Sequence, residues 1–415
     1  MSNIAIIGAG ISGLSIAHLF IEKNNKVVLY EREKEPGGLI RCKRINGSLF
    51  HICGGHVFNS KREDVLNWFW RHFNRNNDFI KADRNSIVFV NDEQKVPYPI
   101  ENHMYMFEEN IQKAFINDLI QIANTKQLNP TNFEEFLKGR FGQTLYNLYF
   151  KPYNEKVWRR ALSSVPLSWL EGKLPMPTVE EMIYNNMNHV EEKQFVHSTF
   201  WYEKNNGSQY LIDTLTRGLD IHYEFKDKIC FNKKNKKWKI KENEYDKVIF
   251  CGNIKTLLPI LEGITLDNYE LSIDALESHG TTSVFCEIDK NPYSWIYLPS
   301  NLHLSHRIIC TGNFSETNNL PGKMTGTVEF TDEISKENIL DNLSRIPLNP
   351  RYLDHHYSKY TYPIQNKDTR KMIHSMKNEL SHFNFYMTGR FADWEYYNMD
   401  MAIASAMDLV NKINC

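Results

Sequence analysis

The chain has 415 residues, and its 49 Lys and Arg residues nearly balance its 50 Asp and Glu residues. A chain of this length exceeds one compact core, so about two or three domains are expected. The formal net charge of −1 gives no electrostatic footprint for nucleic acid, so no nucleic-acid partner is expected. The seven cysteines form no C-x-x-C pair, which argues against a disulfide framework and a metal site and favours a reducing, cytoplasmic location.

No basic start followed by an apolar segment precedes the first predicted strand, and no run of about 18 apolar residues occurs. The sequence therefore predicts neither a secretion signal nor a membrane span.

The first predicted elements are a strand, a helix and a second strand within residues 3–31. Gly8, Gly10 and Gly13 have the spacing G-x-G-x-x-G between the first strand and the helix. In such a unit the first glycine permits a tight turn, and the second lets the backbone approach a pyrophosphate. The third lets the helix pack on the strand with its N-terminus facing the anion. Glu31 follows at close to the ~20-residue offset of an acid that binds a ribose, so the pattern predicts dinucleotide binding.

Two further glycine pairs favour FAD over NAD as the dinucleotide. Gly37 and Gly38 would let the backbone run along a long cofactor, a feature that an NAD site does not need. Gly54 and Gly55 precede His56, and they would let the main chain touch a flat isoalloxazine face. A lone histidine is more often a structural residue, but the two glycines beside it predict that His56 faces the flavin.

Helical and strand patterns then alternate along the chain. The spacing predicts a helix over residues 61–75 and a β-hairpin over residues 85–98. Residues 107–189 have mostly helical spacing, with predicted breaks near 129–130 and 151–152. We expect this stretch to form a helical subdomain inserted into the flavin domain.

Strand patterns dominate the second half of the chain. Residues 220–250 alternate as strands, and the lysine-rich run at 232–237 is predicted to be a solvated hairpin tip. Residues 280–332 alternate again, which predicts a second, antiparallel sheet. The chain closes with a glycine-led loop that enters a helix.

The predicted fold class is α/β, with a Rossmann-like FAD-binding domain, an inserted helical subdomain and a mainly antiparallel β-sheet substrate domain. A ligand is expected at the interface between cofactor and substrate domains. The predicted boundaries are 1–85, 200–270 and 370–415 for the FAD-binding domain, 100–195 for the helical subdomain, and 86–99 and 271–369 for the substrate domain.

Several motifs, in chain order, resemble those of the UDP-galactopyranose mutases and their relatives, more in the eukaryotic-type pattern than in the short bacterial one. They cover nearly the whole chain: GAGISG with Glu31, GGHVF, VPYPIEN, FKPYNEKVW, NNGSQ, HRIICTGNFSETNNLP, YTYP and GRFADWEYYNMD.

The resemblance implies a non-redox isomerisation on FAD that is active as FADH−. In that family, N5 of the reduced flavin attacks the anomeric carbon of a nucleoside-diphosphate sugar, and the ring opens and recloses between pyranose and furanose forms. The departing diphosphate must be held by cations and phenols. The implied partners are a nucleoside-diphosphate sugar and an external reductant, and a homo-oligomer is allowed.

The resemblance also implies residue roles. The implied catalytic residues are His56, Arg307 and Arg390. The implied substrate-binding residues are Tyr98, Asn102, Trp158, Lys173, Asn313, Tyr362 and Tyr396. The cofactor-binding set, from the glycine motif and the resemblance together, is Gly8, Gly10, Ser12, Gly13, Glu31, Arg32, Gly38, Leu39, Gly54, Gly55, His56, Gly389, Arg390, Asn398 and Met399.

Three positions depart from the family pattern. Lys173 stands where the family has a second arginine, and lysine keeps the charge but loses the planar fork. Glu101 takes the place of a nucleobase-side glutamine, and Ile100 takes that of an aromatic residue. Because a carboxylate accepts hydrogen bonds but does not donate them, Glu101 cannot offer the paired contacts of an amide to uracil. The nucleobase and the sugar therefore stay open.

Two other function classes remain open. A flavin oxidoreductase of the amine oxidase or protoporphyrinogen oxidase type shares the cofactor domain, but it needs a hydride path and an apolar or cage-like site. Diphosphate capture instead needs converging Arg, Lys and Tyr side chains. A non-catalytic flavin-binding protein would hold FAD and have no affinity for nucleotides.

Overall fold

The structure is a computed structural model, and it describes residues 1–91, 93–125, 129–167, 177–191 and 199–413. The strands within these ranges are β1 (Asn3–Ile7), β2 (Lys26–Tyr30), β3 (Cys42–Ile45), β4 (Ser48–His51), β5 (Phe79–Asp83), β6 (Ser86–Phe89), β7 (Lys95–Pro97), β8 (Thr199–Glu203), β9 (Ile221–His222), β10 (Ile229–Asn232), β11 (Lys237–Ile240), β12 (Asn243–Tyr245), β13 (Lys247–Phe250), β14 (Leu261–Glu262), β15 (Glu277–Glu287), β16 (Trp295–Tyr297), β17 (Arg307–Ile309), β18 (Thr325–Thr331), β19 (Arg351–Ile364) and β20 (Phe385–Met387).

The helices within the same ranges are α1 (Ile11–Glu22), α2 (Glu63–His72), α3 (Arg75–Asp78), α4 (Glu109–Asn124), α5 (Phe133–Leu145), α6 (Lys151–Trp158), α7 (Val179–Asn188), α8 (Ser208–Leu215), α9 (Glu270–Asp274), α10 (Lys336–Leu343), α11 (Thr369–Ser381) and α12 (Met399–Lys412). None of these helices is long and apolar enough to cross a membrane. The helix predicted over 61–75 is confirmed as α2.

A five-stranded parallel sheet, in the order β20-β13-β1-β2-β9, forms one large layer of the fold and takes strands from both halves of the chain. Its central strand β1 is apolar and buried, as expected for a parallel strand covered on both faces. Helix α1 follows β1 directly, and β2 then pairs parallel to β1. The predicted βαβ unit and the α/β fold class are confirmed.

Close contact between α1 and the turn after β1 depends on Gly13. A Cβ atom at this position would overlap the carbonyl oxygen of Gly8. The apolar side of α1, including Leu14, Ile16 and Phe20, is fully buried in the core beside the sheet. The third glycine of the motif therefore sets the distance between helix and strand.

The helical stretch differs from its prediction at one of two breaks. The break near 129–130 is confirmed, since α4 ends at Asn124 and α5 begins at Phe133. The break at 151–152 is wrong, because a π-helical turn over Tyr146–Phe150 leads directly into α6. Pro152 lies in the first turn of α6, directly after this wider π-helical turn. The backbone departs from helical geometry earlier, at Gly142, where φ is +84°.

A seven-stranded sheet, in the order β19-β15-β18-β17-β16-β6-β7, forms the second large layer. Its neighbours pair antiparallel except β16 and β6, which are parallel. The predicted hairpin over 85–98 is confirmed as β6 and β7, and the predicted sheet over 280–332 is confirmed as β15 to β18. The run at 232–237 joins β10 to β11 and carries their turn, also as predicted. The domain boundaries stay a prediction.

Gly13→Ala should lower the free energy of unfolding by about 2 kcal/mol or more, because the new methyl group forces α1 away from β1. Gly10→Ala is the matched control, since a Cβ there meets no atom within 4 Å. Its effect should stay within about 0.5 kcal/mol. Urea denaturation of both variants measures the difference, and equal unfolding midpoints would contradict this account of the packing.

Candidate functional site

A cavity of about 1050 Å³ lies where the carboxyl ends of the parallel strands face the antiparallel sheet. This edge of a parallel sheet is where α/β proteins bind ligands. The lining residues that belong to the predicted sets are Gly8, Gly10, Ser12, Gly13, Glu31, Arg32, Gly38, Leu39, Gly54, Gly55, His56, Arg307, Tyr362, Arg390, Tyr396, Asn398 and Met399. Gly389 is not among the lining residues, but it packs beside Ser12 at the cavity wall.

The N-terminus of α1 lines part of the cavity. The N-cap residue, Gly10, has no side chain to cap the helix, so the first N–H groups of α1 are left for another acceptor. Glu31, only 9% exposed, accepts a hydrogen bond from the Ala9 N–H at 2.7 Å and one from the Glu33 N–H at 2.9 Å. These bonds hold the glycine turn to the end of β2 and leave carboxylate lone pairs for a further donor. The arrangement suits a pyrophosphate at the helix N-terminus.

His56 lies in the cavity wall with its ring held by the backbone. Its Nε2 is 2.9 Å from the carbonyl oxygen of Leu39, and because a carbonyl only accepts, Nε2 carries a proton. Burial and the nearby Arg390 guanidinium lower the pKa of His56 to about 4. The ring is therefore neutral near pH 7.

Arg307 forms an ion pair with Glu329, a carboxylate with no solvent exposure. Glu329 also accepts a hydrogen bond from the Gly54 N–H at 2.9 Å. Burial alone would raise the pKa of this carboxyl, but the Arg307 charge and His306 outweigh it and lower the pKa to about 2. The pair thus joins β17 and β18 to the glycine-rich turn before His56.

Two tyrosines and two arginines meet on this wall. The rings of Tyr362 and Tyr396 stack with centroids 5.3 Å apart, and Arg307 donates to the Tyr362 hydroxyl at 3.1 Å. The guanidinium carbon of Arg390 lies 4.2 Å from the Tyr396 ring centroid. Burial raises the pKa of Tyr362 well above its usual value despite the opposing effect of Arg307, so its hydroxyl stays protonated.

Arg390 carries an unused donor within this wall. Its terminal nitrogens donate to the carbonyl oxygens of Tyr397, at 3.1 Å, and Thr361. Its Nε is buried and has no hydrogen-bond partner among the described residues. A buried donor of this kind is costly unless a ligand or water accepts from it.

Four predicted substrate-binding residues lie outside the cavity lining that the structure describes: Tyr98, Asn102, Trp158 and Asn313. The Tyr98 ring packs 5.0 Å from that of Tyr297, and Trp158 is buried in the core of the helical region. The roles of these residues stay predictions.

The two asparagines of this group hold neighbouring backbone and side chains. Asn102 accepts a hydrogen bond from Asn185 at 3.1 Å, and Asn313 donates to the carbonyl oxygen of Tyr293 at 2.7 Å. Lys173 lies outside the described residues.

The sequence did not single out three residues at or beside the cavity. Glu329 is the one charged side chain in the TGTVEF pattern of β18, which could have marked it, but the sequence gives no indication of its partners. Arg84 lines the cavity and donates to the Tyr297 hydroxyl at 3.1 Å. Tyr153 packs its ring 5.6 Å from that of Tyr297. No motif marked Arg84, and Tyr153 was one aromatic residue in a cluster.

Comparison with known proteins gives a family model and several relatives. The model of an NAD(P)-binding Rossmann-like domain matches residues 6–73. The dTDP-fucopyranose mutase of Escherichia coli is 26% identical over 259 residues, which are 61% of this chain and 64% of that enzyme. The UDP-galactopyranose mutase of Mycoplasma genitalium is 22% identical over 434 residues, with 97% of this chain and 92% of that enzyme covered.

A solved structure of reduced UDP-galactopyranose mutase shares the fold, with a TM-score of 0.87 and 22% identity over 100% of this chain and 95% of that one. The chain matches slightly under two thirds of the length of the E. coli relative and nearly all of the M. genitalium one. The resemblance to the UDP-galactopyranose mutases and their relatives, predicted from the motifs, is confirmed. The eukaryotic-type pattern stays a prediction.

Glu329→Gln should flatten the dependence of stability on acid pH. Because the folded pKa of about 2 lies below the ordinary value of 4.5, the ionised carboxylate stabilises the fold above about pH 4.5. This contribution, about 3 kcal/mol, is lost as the pH falls toward 2. Urea unfolding of wild type and variant between pH 5 and about 2.5 measures it. Parallel curves for the two proteins would show that Glu329 does not titrate in this way.

Proposed function

We propose that the protein is a flavin-dependent mutase that interconverts the pyranose and furanose ring forms of a nucleoside-diphosphate sugar. The observation that carries the proposal is the convergence of four side chains on the wall of a cavity that a helix N-terminus suited to a dinucleotide also lines. The four are Arg307, Arg390, Tyr362 and Tyr396. The names of the relatives, dTDP-fucopyranose mutase and UDP-galactopyranose mutase, support a sugar nucleotide as the substrate class.

FAD is the proposed cofactor, and the chemistry of the cavity fits it. The first turn of α1 offers N–H donors, and the space above Gly10 is open for a pyrophosphate. The residues proposed to hold the cofactor are Gly8, Gly10, Ser12, Gly13, Glu31, Arg32, Gly38, Leu39, Gly54, Gly55, His56, Gly389, Arg390, Asn398 and Met399. When bound in its reduced form, the flavin supplies a nucleophilic ring nitrogen for covalent catalysis at an anomeric carbon.

The arginines and tyrosines are proposed to hold the diphosphate while its bond to the sugar is broken. Arg307 donates to the Tyr362 oxygen, so the hydroxyl proton of Tyr362 points elsewhere and can be donated to a phosphate oxygen. The Arg390 guanidinium adds positive charge beside the Tyr396 ring. Because negative charge grows on the diphosphate as it departs, donors already fixed in place stabilise that state most.

His56 is proposed to lie beside the cofactor as a neutral ring. With Nε2 bonded to Leu39 and a pKa lowered to about 4, it adds no positive charge to the cavity near pH 7. The cationic character of the wall then comes from the arginines, and His56 contributes shape and a fixed backbone turn.

The alternative of an amine oxidase or protoporphyrinogen oxidase type is less well supported. Such enzymes need an apolar or cage-like substrate site beside the flavin. Here two guanidinium groups and two stacked phenols occupy that wall, and such a set recognises phosphate oxygens.

The proposal is tested by incubating dithionite-reduced protein with a panel of UDP-, dTDP-, CDP- and GDP-sugars and separating the products by chromatography. Ring isomerisation of at least one sugar nucleotide is expected after reduction, with no net consumption of reductant per product. Equal activity in the fully oxidised protein would contradict the nucleophilic role of the reduced flavin. Net oxidation of a substrate would favour the oxidoreductase.

The double variant Arg307→Gln with Glu329→Gln should lower turnover about 100-fold or more, because it removes a fixed donor to the leaving group. Changing both residues avoids leaving a buried, unpaired carboxylate. The control is Glu329→Gln alone, which keeps the guanidinium and should retain more turnover than the double variant. FAD occupancy, read from the flavin absorbance, should be similar in both. Wild-type turnover in the double variant would remove Arg307 from the proposed site.

A further inference from the structure

We propose that Asp393 is a positioning residue that holds Arg390 and Tyr396 at their places in the cavity wall. Both belong to the C-terminal loop, defined as residues 389–397 between β20 and α12. The inference rests on the proposed function, because it assigns a purpose to the geometry of the loop that carries half of the proposed diphosphate-binding wall.

The Asp393 carboxylate ties the two ends of the C-terminal loop together. Oδ2 accepts from the Gly389 N–H at 3.2 Å and from the Tyr397 hydroxyl at 3.2 Å. Gly389 immediately precedes Arg390, and Tyr397 immediately follows Tyr396. Each tied residue is therefore the chain neighbour of one residue of the wall.

The same carboxylate fastens the C-terminal loop to the helices on both sides of it. Oδ2 lies 3.3 Å from the Ser405 hydroxyl on α12, and Oδ1 accepts from Lys377 on α11 at 2.6 Å. Arg370, also on α11, donates to the carbonyl oxygen of Asp393 at 2.5 Å. Asp393 is only 3% exposed, so these donors replace water around a buried charge.

A closed ring of contacts then fixes Arg390. Its guanidinium donates to the carbonyl oxygen of Tyr397 at 3.1 Å, and the Tyr397 hydroxyl donates a hydrogen bond to the Asp393 carboxylate. Burial and the Asp393 charge raise the pKa of Tyr397, so this phenol remains a donor. With both Arg390 and Tyr397 held, the Arg390 guanidinium stays 4.2 Å from the Tyr396 ring centroid.

The role of Asp393 differs from that of its partner Lys377. Lys377 contacts the Oδ1 side only, and its side chain is 34% exposed on α11. Removing the Lys377 ammonium leaves the Oδ2 contacts to the C-terminal loop in place. Removing the carboxylate breaks its contacts to the loop, to Lys377 and to Ser405 at once, while the contact from Arg370 to the Asp393 backbone stays. Substitution of Lys377 should therefore affect stability alone, whereas substitution of Asp393 should also affect the positions of Arg390 and Tyr396.

The test compares Asp393→Ala, Asp393→Asn and Lys377→Met with wild type in the flavin-loaded protein. UDP is the probe, and its dissociation constant is measured by the change in flavin fluorescence. Hydrogen–deuterium exchange of residues 389–397 is measured in parallel without UDP. Asp393→Ala should weaken UDP binding about tenfold or more and speed exchange in the C-terminal loop by a similar factor.

Asp393→Asn keeps one oxygen that can face the Oδ2 donors, so it should restore binding to within about threefold of wild type. Lys377→Met is the matched structural control. It should lower the unfolding temperature yet leave UDP affinity and loop exchange within about twofold of wild type.

Wild-type UDP affinity and wild-type loop exchange in a folded Asp393→Ala protein would overturn the inference. If that variant does not fold, Tyr397→Phe with Ser405→Ala removes two of the same contacts, and unchanged exchange there would overturn the inference equally. If wild type itself binds no UDP, the choice of a uridine nucleotide fails, and the exchange measurement still decides whether Asp393 orders the loop.

Discussion

The structure of the site depends on one buried ion pair, that between Glu329 and Arg307. A carboxylate with no solvent exposure must be matched by donors, and here they come from β17 and from the Gly54 backbone. Strand β18, which carries Glu329, is thereby tied to the turn that precedes His56. A shift of the glycine-rich side of the cavity away from its cationic side would be costly, because it would remove one of the donors to the buried carboxylate.

The cavity lining combines two kinds of anion-binding group. Uncharged N–H groups of α1 face the space above Gly10, with Glu31 bonded to the turn. Guanidinium groups and phenols converge around Tyr362 and Tyr396. An uncharged helix terminus suits an anion that stays bound, and a set of directed donors suits one whose charge changes during a reaction. A dinucleotide and a nucleoside diphosphate are the pair of anions that fits such a division.

Local patterns in the sequence were sufficient to predict much of this fold. The glycine spacing and the strand alternation depend on neighbouring residues, and they predicted the βαβ unit and both sheet regions. The break predicted at Pro152 is wrong, because a π-helical turn that no local pattern indicated precedes this proline and leads into α6. Glu329 and Gly54 meet across 275 residues of sequence, so only the folded chain shows that they are partners. The motif-based roles of Tyr98 and Asn313 stay predictions, since neither residue is among those that line the described cavity.

The pairing of Arg307 also bears on how the proposed site would bind a diphosphate. Because Glu329 offsets the charge of Arg307, the pair contributes oriented N–H groups and, through Tyr362, an oriented hydroxyl, with little net charge. Arg390 has its terminal nitrogens bound to carbonyl oxygens, which leave its charge in place but limit its directions of donation. Two unopposed cations would bind the ground state and the departing diphosphate alike, and uniform binding of that kind does not speed a reaction. Donors that are fixed in direction and partly neutralised favour the departing diphosphate over the ground state, because their hydrogen bonds strengthen most when charge appears at the oxygens they face.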